Sequence, residues 1–185
     1  MVQSKTIDGF TIIALPDAAI YGNQSGDAVV VWGANGKGVP DEVITLVAQP
    51  ESYHYVAPLL KLSRVDCLVM INGDAPEQLP SGVEIISVNH PKQAASELSQ
   101  KKNRIALALN LPELTEIASG VSDNVKNNML IFVYTRVGCG IGACRACYLH
   151  DSEIQTGVAV CCEGPYLPYN SINFEIDKSC FQVFI

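Results

Sequence analysis

The chain is built of short, unbroken apolar blocks separated by polar stretches with helical spacing. Ala28-Val-Val-Val-Trp32 is β-branched and stops at the glycine-rich Gly33-Ala-Asn-Gly-Lys-Gly38, which predicts a strand entering a turn. Thr11-Ile-Ile-Ala-Leu15 offers an earlier strand and Val43-Ile-Thr-Leu-Val-Ala48 a later one. Tyr55 to Leu62 has helical character, with Pro58 tolerable only in the first turn. Regular alternation follows. Val65 to Ile71 predicts a strand stopped by Asn72-Gly73, and Val83 to Val88 predicts another. Pro91 opens a helix to about Lys101, Ile105 to Leu109 is a strand, Pro112 opens a helix to about Ser119, and Met129 to Tyr134 is a last apolar strand. Strands separated by helices imply parallel pairing, and continuous apolar strands imply a sheet covered on both faces. The expected fold is therefore α/β: a small, doubly wound parallel sheet followed by a cysteine-rich module.

Composition narrows the function. Among 185 residues, 12 Lys and Arg face 19 Asp and Glu, a formal charge of −7, and 48% of the residues are hydrophobic. The pI is near 4.8 and the mean hydropathy +0.20. A core of useful size is available, while an acidic chain without a basic run is a poor partner for nucleic acid. The longest apolar runs are strand-sized, so no membrane insertion is expected. Met1-Val-Gln-Ser-Lys-Thr-Ile-Asp8 lacks the basic-then-apolar pattern of an export signal, giving the expectation of a cytoplasmic protein.

Five of the seven cysteines, Cys139, Cys144, Cys147, Cys161 and Cys162, fall within 24 residues. In a reducing compartment such crowding points to a metal or redox centre rather than disulfides. The spacing Cys-x4-Cys-x2-Cys with a distant fourth cysteine is the plant-type arrangement for a [2Fe–2S] cluster. Three ligands from one loop require the backbone to wrap the cluster closely, and Gly138, Gly140 and Gly142, with Ala143, permit that wrap. A structural zinc site also uses four cysteines, but zinc ribbons usually pair two Cys-x2-Cys knuckles. Spacing alone leaves the fourth ligand open between Cys161 and Cys162, which in extended backbone would point opposite ways. His54, His90 and His150 are not spaced for a Rieske site and read as surface residues. Cys67 reads as a small buried hydrophobe and Cys180 as an unliganded thiol. Arg145, Tyr166 and Tyr169 could serve a partner, although solvation for the first and packing for the others are the simpler readings. Gly33 to Gly38 fails both the dinucleotide and the P-loop fingerprints and reads as a turn.

Cys139-Gly-Ile-Gly-Ala-Cys144, Cys147 and Cys161-x-Glu-Gly-Pro165 resemble the cluster module of the dihydroorotate dehydrogenase electron transfer subunit, within the ferredoxin-reductase-like flavoproteins. The family pattern places the last ligand before x-Asp/Glu-Gly-Pro, which selects Cys161. Upstream, Gly26 to Val39 is similar to the element closing the family's flavin domain, Val56-Ala-Pro-Leu-Leu60 to the first helix of its nicotinamide domain, and Asn110-Leu-Pro112 to its Cys-Gly-Pro. The resemblance spans about residues 26–170. It implies three parts: residues 1–40 as a remnant of flavin-domain strands, 41–134 as a degenerate nicotinamide-type α/β sandwich, and 135–185 as the cluster module.

The departures are informative. About 25 residues precede the glycine-rich element, with no flavin-binding Arg-x-Tyr-Ser motif. Where a glycine-rich phosphate loop is required, the chain has Gln49-Pro-Glu-Ser-Tyr-His-Tyr55, without glycine and with three bulky rings. FAD and NAD are thus expected not to bind. The resulting expectation is an electron-transfer subunit that is not itself catalytic. It holds one [2Fe–2S] cluster on Cys139, Cys144, Cys147 and Cys161 within a hetero-oligomer, beside a flavoprotein or iron–sulfur oxidoreductase subunit. The competing readings are a metal-stapled scaffold without redox role and a small diaphorase.

Overall fold

The computed structural model describes residues 3–7, 10–16, 27–32, 42–56, 64–76, 79, 81–133, 142–145, 147–150, 157–164 and 166–174, and for 3–32 and 54–56 the backbone alone. Strands β1 (Gln3–Ile7), β2 (Phe10–Pro16) and β3 (Asp27–Trp32) form an antiparallel sheet in the order β1-β2-β3. The Gly33 to Gly38 turn and Cys180 lie outside the described residues.

The main sheet follows the predicted alternation. Strand β4 (Ile44–Ala48) leads to helix α1 (Pro50–Val56), β5 (Val65–Ile71) and β6 (Glu84–Val88). Helix α2 (Pro91–Leu98), β7 (Arg104–Ala108), α3 (Leu111–Gly120), the single turn α4 (Asp123–Lys126) and β8 (Met129–Phe132) follow. The strand order is β11-β8-β7-β4-β5-β6, where β11 is Tyr166–Pro168. Five strands are parallel, and only β11 joins antiparallel, Tyr166 opposite Phe132 and Leu167 opposite Ile131. The chain winds from β4 outward to β6, then returns to β7 and winds the other way. The switch point therefore lies between β4 and β7.

Local chemistry explains the helix ends. Pro91 starts α2, where its missing N–H has no intrahelical partner to lose, and Pro91, Ala94, Ala95 and Leu98 make the buried stripe. Gly120 ends α3 so close to α2 that a Cβ there would lie 2.9 Å from the Ala95 methyl. The helix expected over Tyr55 to Leu62 instead begins at Pro50. Ser52, at its third position, accepts the Gln49 N–H at 2.9 Å, the return arm of a capping box. Residues 57–63 lie outside the described set.

Cys67, Val69, Leu107, Ile131 and Leu167 from four strands meet α2 and α3 in one cluster. Cys67 is 1% exposed, as expected for a small hydrophobe. The opposite face buries Leu46, Leu68, Met70, Phe132 and Tyr166. Tyr166 packs edge-on to Phe132, ring centroids 5.3 Å apart, and Tyr169 lies 4.9 Å from Phe174. Tyr166 is thus a packing residue, while Tyr169 is half-buried beside Phe174. Among the described residues no helix is long and apolar enough to cross a membrane.

The Tyr166 hydroxyl is buried and finds no hydrogen-bond partner among the described residues. Removing it relieves a desolvated polar group, so Tyr166→Phe raises stability by about 1 kcal/mol in urea unfolding at pH 7. Burial holds the folded phenol far above its ordinary value of 10.0. The associated stability is fully present below the unfolded pKa and is lost progressively as pH rises from there towards the raised folded value. Between pH 8 and 11 the wild-type urea midpoint therefore falls more steeply than that of Tyr166→Phe; equal slopes refute the assignment.

Candidate metal centre

The described part of the cysteine segment starts at Gly142, so Cys139, Gly138 and Gly140 lie outside it. Gly142 has φ +75°, the left-handed region that favours glycine, and Arg145 follows at φ 58°. These two left-handed residues lie on either side of Cys144. Strands β9 (Tyr148–Leu149) and β10 (Val158–Ala159) then pair antiparallel, and the short helix α5 (Val160–Glu163) carries Cys161 and Cys162. Strand β11 follows and enters the main sheet. Cys147, Leu149, Val160 and Cys161 belong to the same hydrophobic cluster as the sheet and α2.

The cysteines differ in setting. Cys147 is 1% exposed and Cys161 fully buried, Cys162 is half-buried, and Cys144 is exposed. The Cys161 amide N–H donates to Cys147 Sγ at 3.4 Å, and the Gly142 N–H donates to Cys161 Sγ at 3.3 Å. Amide hydrogens aimed at sulfur favour thiolates and are the kind of outer interaction that orients metal ligands. In the metal-free thiol state, burial pushes Cys147 up to about 11; the Cys161 amide opposes this, while the neighbouring Cys161 and Cys144 thiols add to it. Metal binding must displace that proton, so loading releases acid.

The expectation that Cys161 and Cys162 diverge along extended backbone is corrected. They occupy a helical turn, and their Sγ atoms lie 3.8 Å apart. The same turn presents both to the cysteine loop: a Cβ on Gly142 would lie 3.1 Å from Cys162 Sγ. Gly164 closes α5 where an added methyl would meet the Val160 carbonyl at 2.7 Å, and its N–H donates to that carbonyl at 2.8 Å. Among the described residues, no three His, Cys, Asp or Glu side chains form a metal-sized group. The structure brings together Cys147 and Cys161 of the predicted set, adds Cys162 beside them, and leaves Cys144 at the surface.

The other singled-out residues stand apart. His90 and His150 are exposed, as expected of surface histidines, and the His54 side chain lies outside the described set. The Arg145 guanidinium is 5.9 Å from the Tyr148 ring centroid, a cation–π contact at the surface. Sequence reasoning missed Ser52. Its hydroxyl is fully buried and donates to the Ala108 carbonyl at 2.5 Å, tying α1 to the end of β7 across the switch point. On the other side of β4, Pro50 packs onto Gly73 just after β5, where a Cβ would clash with its ring. The available signal was a serine three positions after Gln49 and two after a proline, a helix-start pattern.

Residues 135–173 match the family model for the iron–sulfur cluster binding domain of dihydroorotate dehydrogenase B. No curated protein matches the chain. The fold is similar to that of a chain from the solved structure of NADH-dependent reduced ferredoxin-NADP oxidoreductase, described for flavin-based electron bifurcation. The TM-score is 0.57 at 14% identity, over 84% of this chain and 64% of that one. The chain thus spans less than two thirds of the solved chain it matches. The two likenesses agree with the resemblance read from the cysteine motif: residues 135–173 match the iron–sulfur model, and the α/β fold is similar to that of the reductase chain.

Gly142→Ala forces a side chain into the left-handed region and against Cys162. It lowers stability by about 1 kcal/mol and speeds alkylation of Cys161 and Cys162 in the metal-free protein. Peptide mapping after timed iodoacetamide treatment checks this; an unchanged rate would mean the loop does not shield them.

Proposed function

We propose that this chain is an electron-transfer subunit holding one [2Fe–2S] cluster and relaying single electrons to or from a flavin- or cluster-containing partner in an oxidoreductase complex. The observation that carries the reading is the Cys147–Cys161 pair. Two thiols are buried in the hydrophobic core and each receives a backbone N–H, within the segment matched by the iron–sulfur family model. This donor set fits an iron–sulfur group: soft sulfur ligands, amide donors to sulfur and a water-poor surround. Cys139, Cys144, Cys147 and Cys161 are the four ligands of this reading. The bound cluster supplies one-electron redox chemistry. The chain's own residues supply the rest. Val160, Leu149 and Leu167 exclude water from the inner thiols, and the Gly142 and Cys161 amides stabilise negative charge on sulfur.

The switch point between β4 and β7 supports the view that electrons do not enter from a nicotinamide bound by this chain. That crevice is where doubly wound folds take dinucleotides, with donors aimed at phosphate. Here Ser52 bonds across it and Pro50 covers Gly73. Beside the crevice the Gln49 side-chain amide donates to Glu113 Oε1 at 3.4 Å, while Asn110 Oδ1 and Glu113 Oε2 are buried without a hydrogen-bond partner among the described residues. A pyrophosphate there would meet the negative charge of Glu113 in the first turn of α3. Electrons on this reading arrive from a partner subunit with its own flavin or cluster.

The test is an anaerobic visible and EPR spectrum before and after dithionite, with iron and zinc counted on the same sample. Two irons per chain, bleaching and an S = 1/2 signal are expected; one zinc without colour refutes the redox reading. Cys147→Ala lowers iron content at least severalfold. Added NADH without a partner leaves the spectrum unbleached, whereas direct bleaching would restore the diaphorase reading. Separately, Ser52→Ala costs about 1–2 kcal/mol in urea unfolding, because the hydroxyl spanning the switch point is lost and its buried backbone partners are left without it. An unchanged midpoint would mean that Ser52 does not bond across the switch point.

A further inference from the structure

Cys162 is a fifth cysteine in the segment that the four-ligand set does not use. Its Sγ lies 3.8 Å from Cys161 Sγ, within contact distance for two sulfurs, and with both residues as thiols either could be the donor. Metal ligation removes that ambiguity. A cysteine bound to iron is a thiolate without a hydrogen and can only accept. A hydrogen shared between the two sulfurs then belongs to Cys162. Cys161 Sγ already accepts the Gly142 N–H at 3.3 Å, so it would sit under two donors, one from the loop and one from its own helix. The same loop keeps Cys162 in place, because Gly142 approaches its Sγ so closely that a Cβ there would stand 3.1 Å away.

We propose, building on the four-ligand reading above, that Cys162 is a positioning residue whose S–H donates to the Cys161 thiolate and raises the reduction potential of the cluster. Each electron added to a cluster increases the negative charge on its ligand sulfurs. A donor to sulfur stabilises the reduced form more than the oxidised form. No bond to sulfur is made or broken, and the proton stays on Cys162 in both redox states. The electron comes from the external reductant.

The test is an anaerobic redox titration of the full chain, wild type against Cys162→Ala and Cys162→Ser, followed by EPR with iron counted in each sample. Cys162→Ala is expected to keep the wild-type iron content and titrate at a more negative midpoint. Cys162→Ser, which restores an O–H donor at nearly the same place, is expected to return towards the wild-type midpoint. Equal midpoints in all three proteins would overturn the proposal. So would an equal downward shift in both variants, which would indicate packing, or loss of iron in Cys162→Ala with retention in Cys161→Ala, which would make Cys162 the ligand. If the wild-type protein itself binds no iron, the four-ligand reading fails first, a result distinct from any of these.

Discussion

The cysteine segment depends on being packed into the core of the α/β sheet rather than hung beside it. Val160, Cys161, Cys147 and Leu149 share one apolar cluster with Ile131 and Val133, and β11 extends the sheet by pairing with β8. Burial of this kind does two things at once. It supplies apolar contact that holds a short, irregular segment in place, and it removes water from two thiols whose charge the surrounding amides then control. A segment with only four-residue helices and two-residue strands has little local stability of its own. Its geometry is borrowed from the sheet.

The same sheet shows how one side chain can tie together the elements that flank a topological switch point. The topology still reverses between β4 and β7, where strand ends leave a gap and ligands normally sit. In this chain, Ser52 occupies the gap with three short polar contacts, to the Gln49 N–H, the Gln49 carbonyl and the Ala108 carbonyl. Pro50 lies where a glycine-rich loop would have left space, and Gly73 makes room for it. The electron path proposed for the chain is correspondingly confined to its cysteine end.

Much of the sheet was legible because each element announces itself locally. Cys67 to Ile71 and Ile105 to Ala108 are too short and too apolar for exposed helices, and Pro91 and Pro112 mark helix starts by chemistry that needs no tertiary partner. The helix at Pro50 was placed too late because Tyr55 to Leu62 has the stronger apolar pattern, whereas the true start is set by one serine returning to the Gln49 amide. The short pieces α5, β9, β10 and β11 were not legible; two- to four-residue elements carry no periodicity, and their pairing is decided by distant strands.

The sequence by itself determined the alternating α/β order and the concentration of thiols and glycines between Cys139 and Cys162, since both follow from residue type and spacing along the chain. Only the tertiary structure decided that the two adjacent cysteines face the same loop, that Tyr166 is a packing residue, and that Ser52 bonds across the switch point. Those outcomes turn on whether Cys161 and Cys162 lie in a strand or a helical turn, and on which side chains from distant segments reach a given gap. A change from extended to helical backbone rotates neighbouring side chains from opposite directions to about 100° apart. That rotation brings the sulfurs to 3.8 Å.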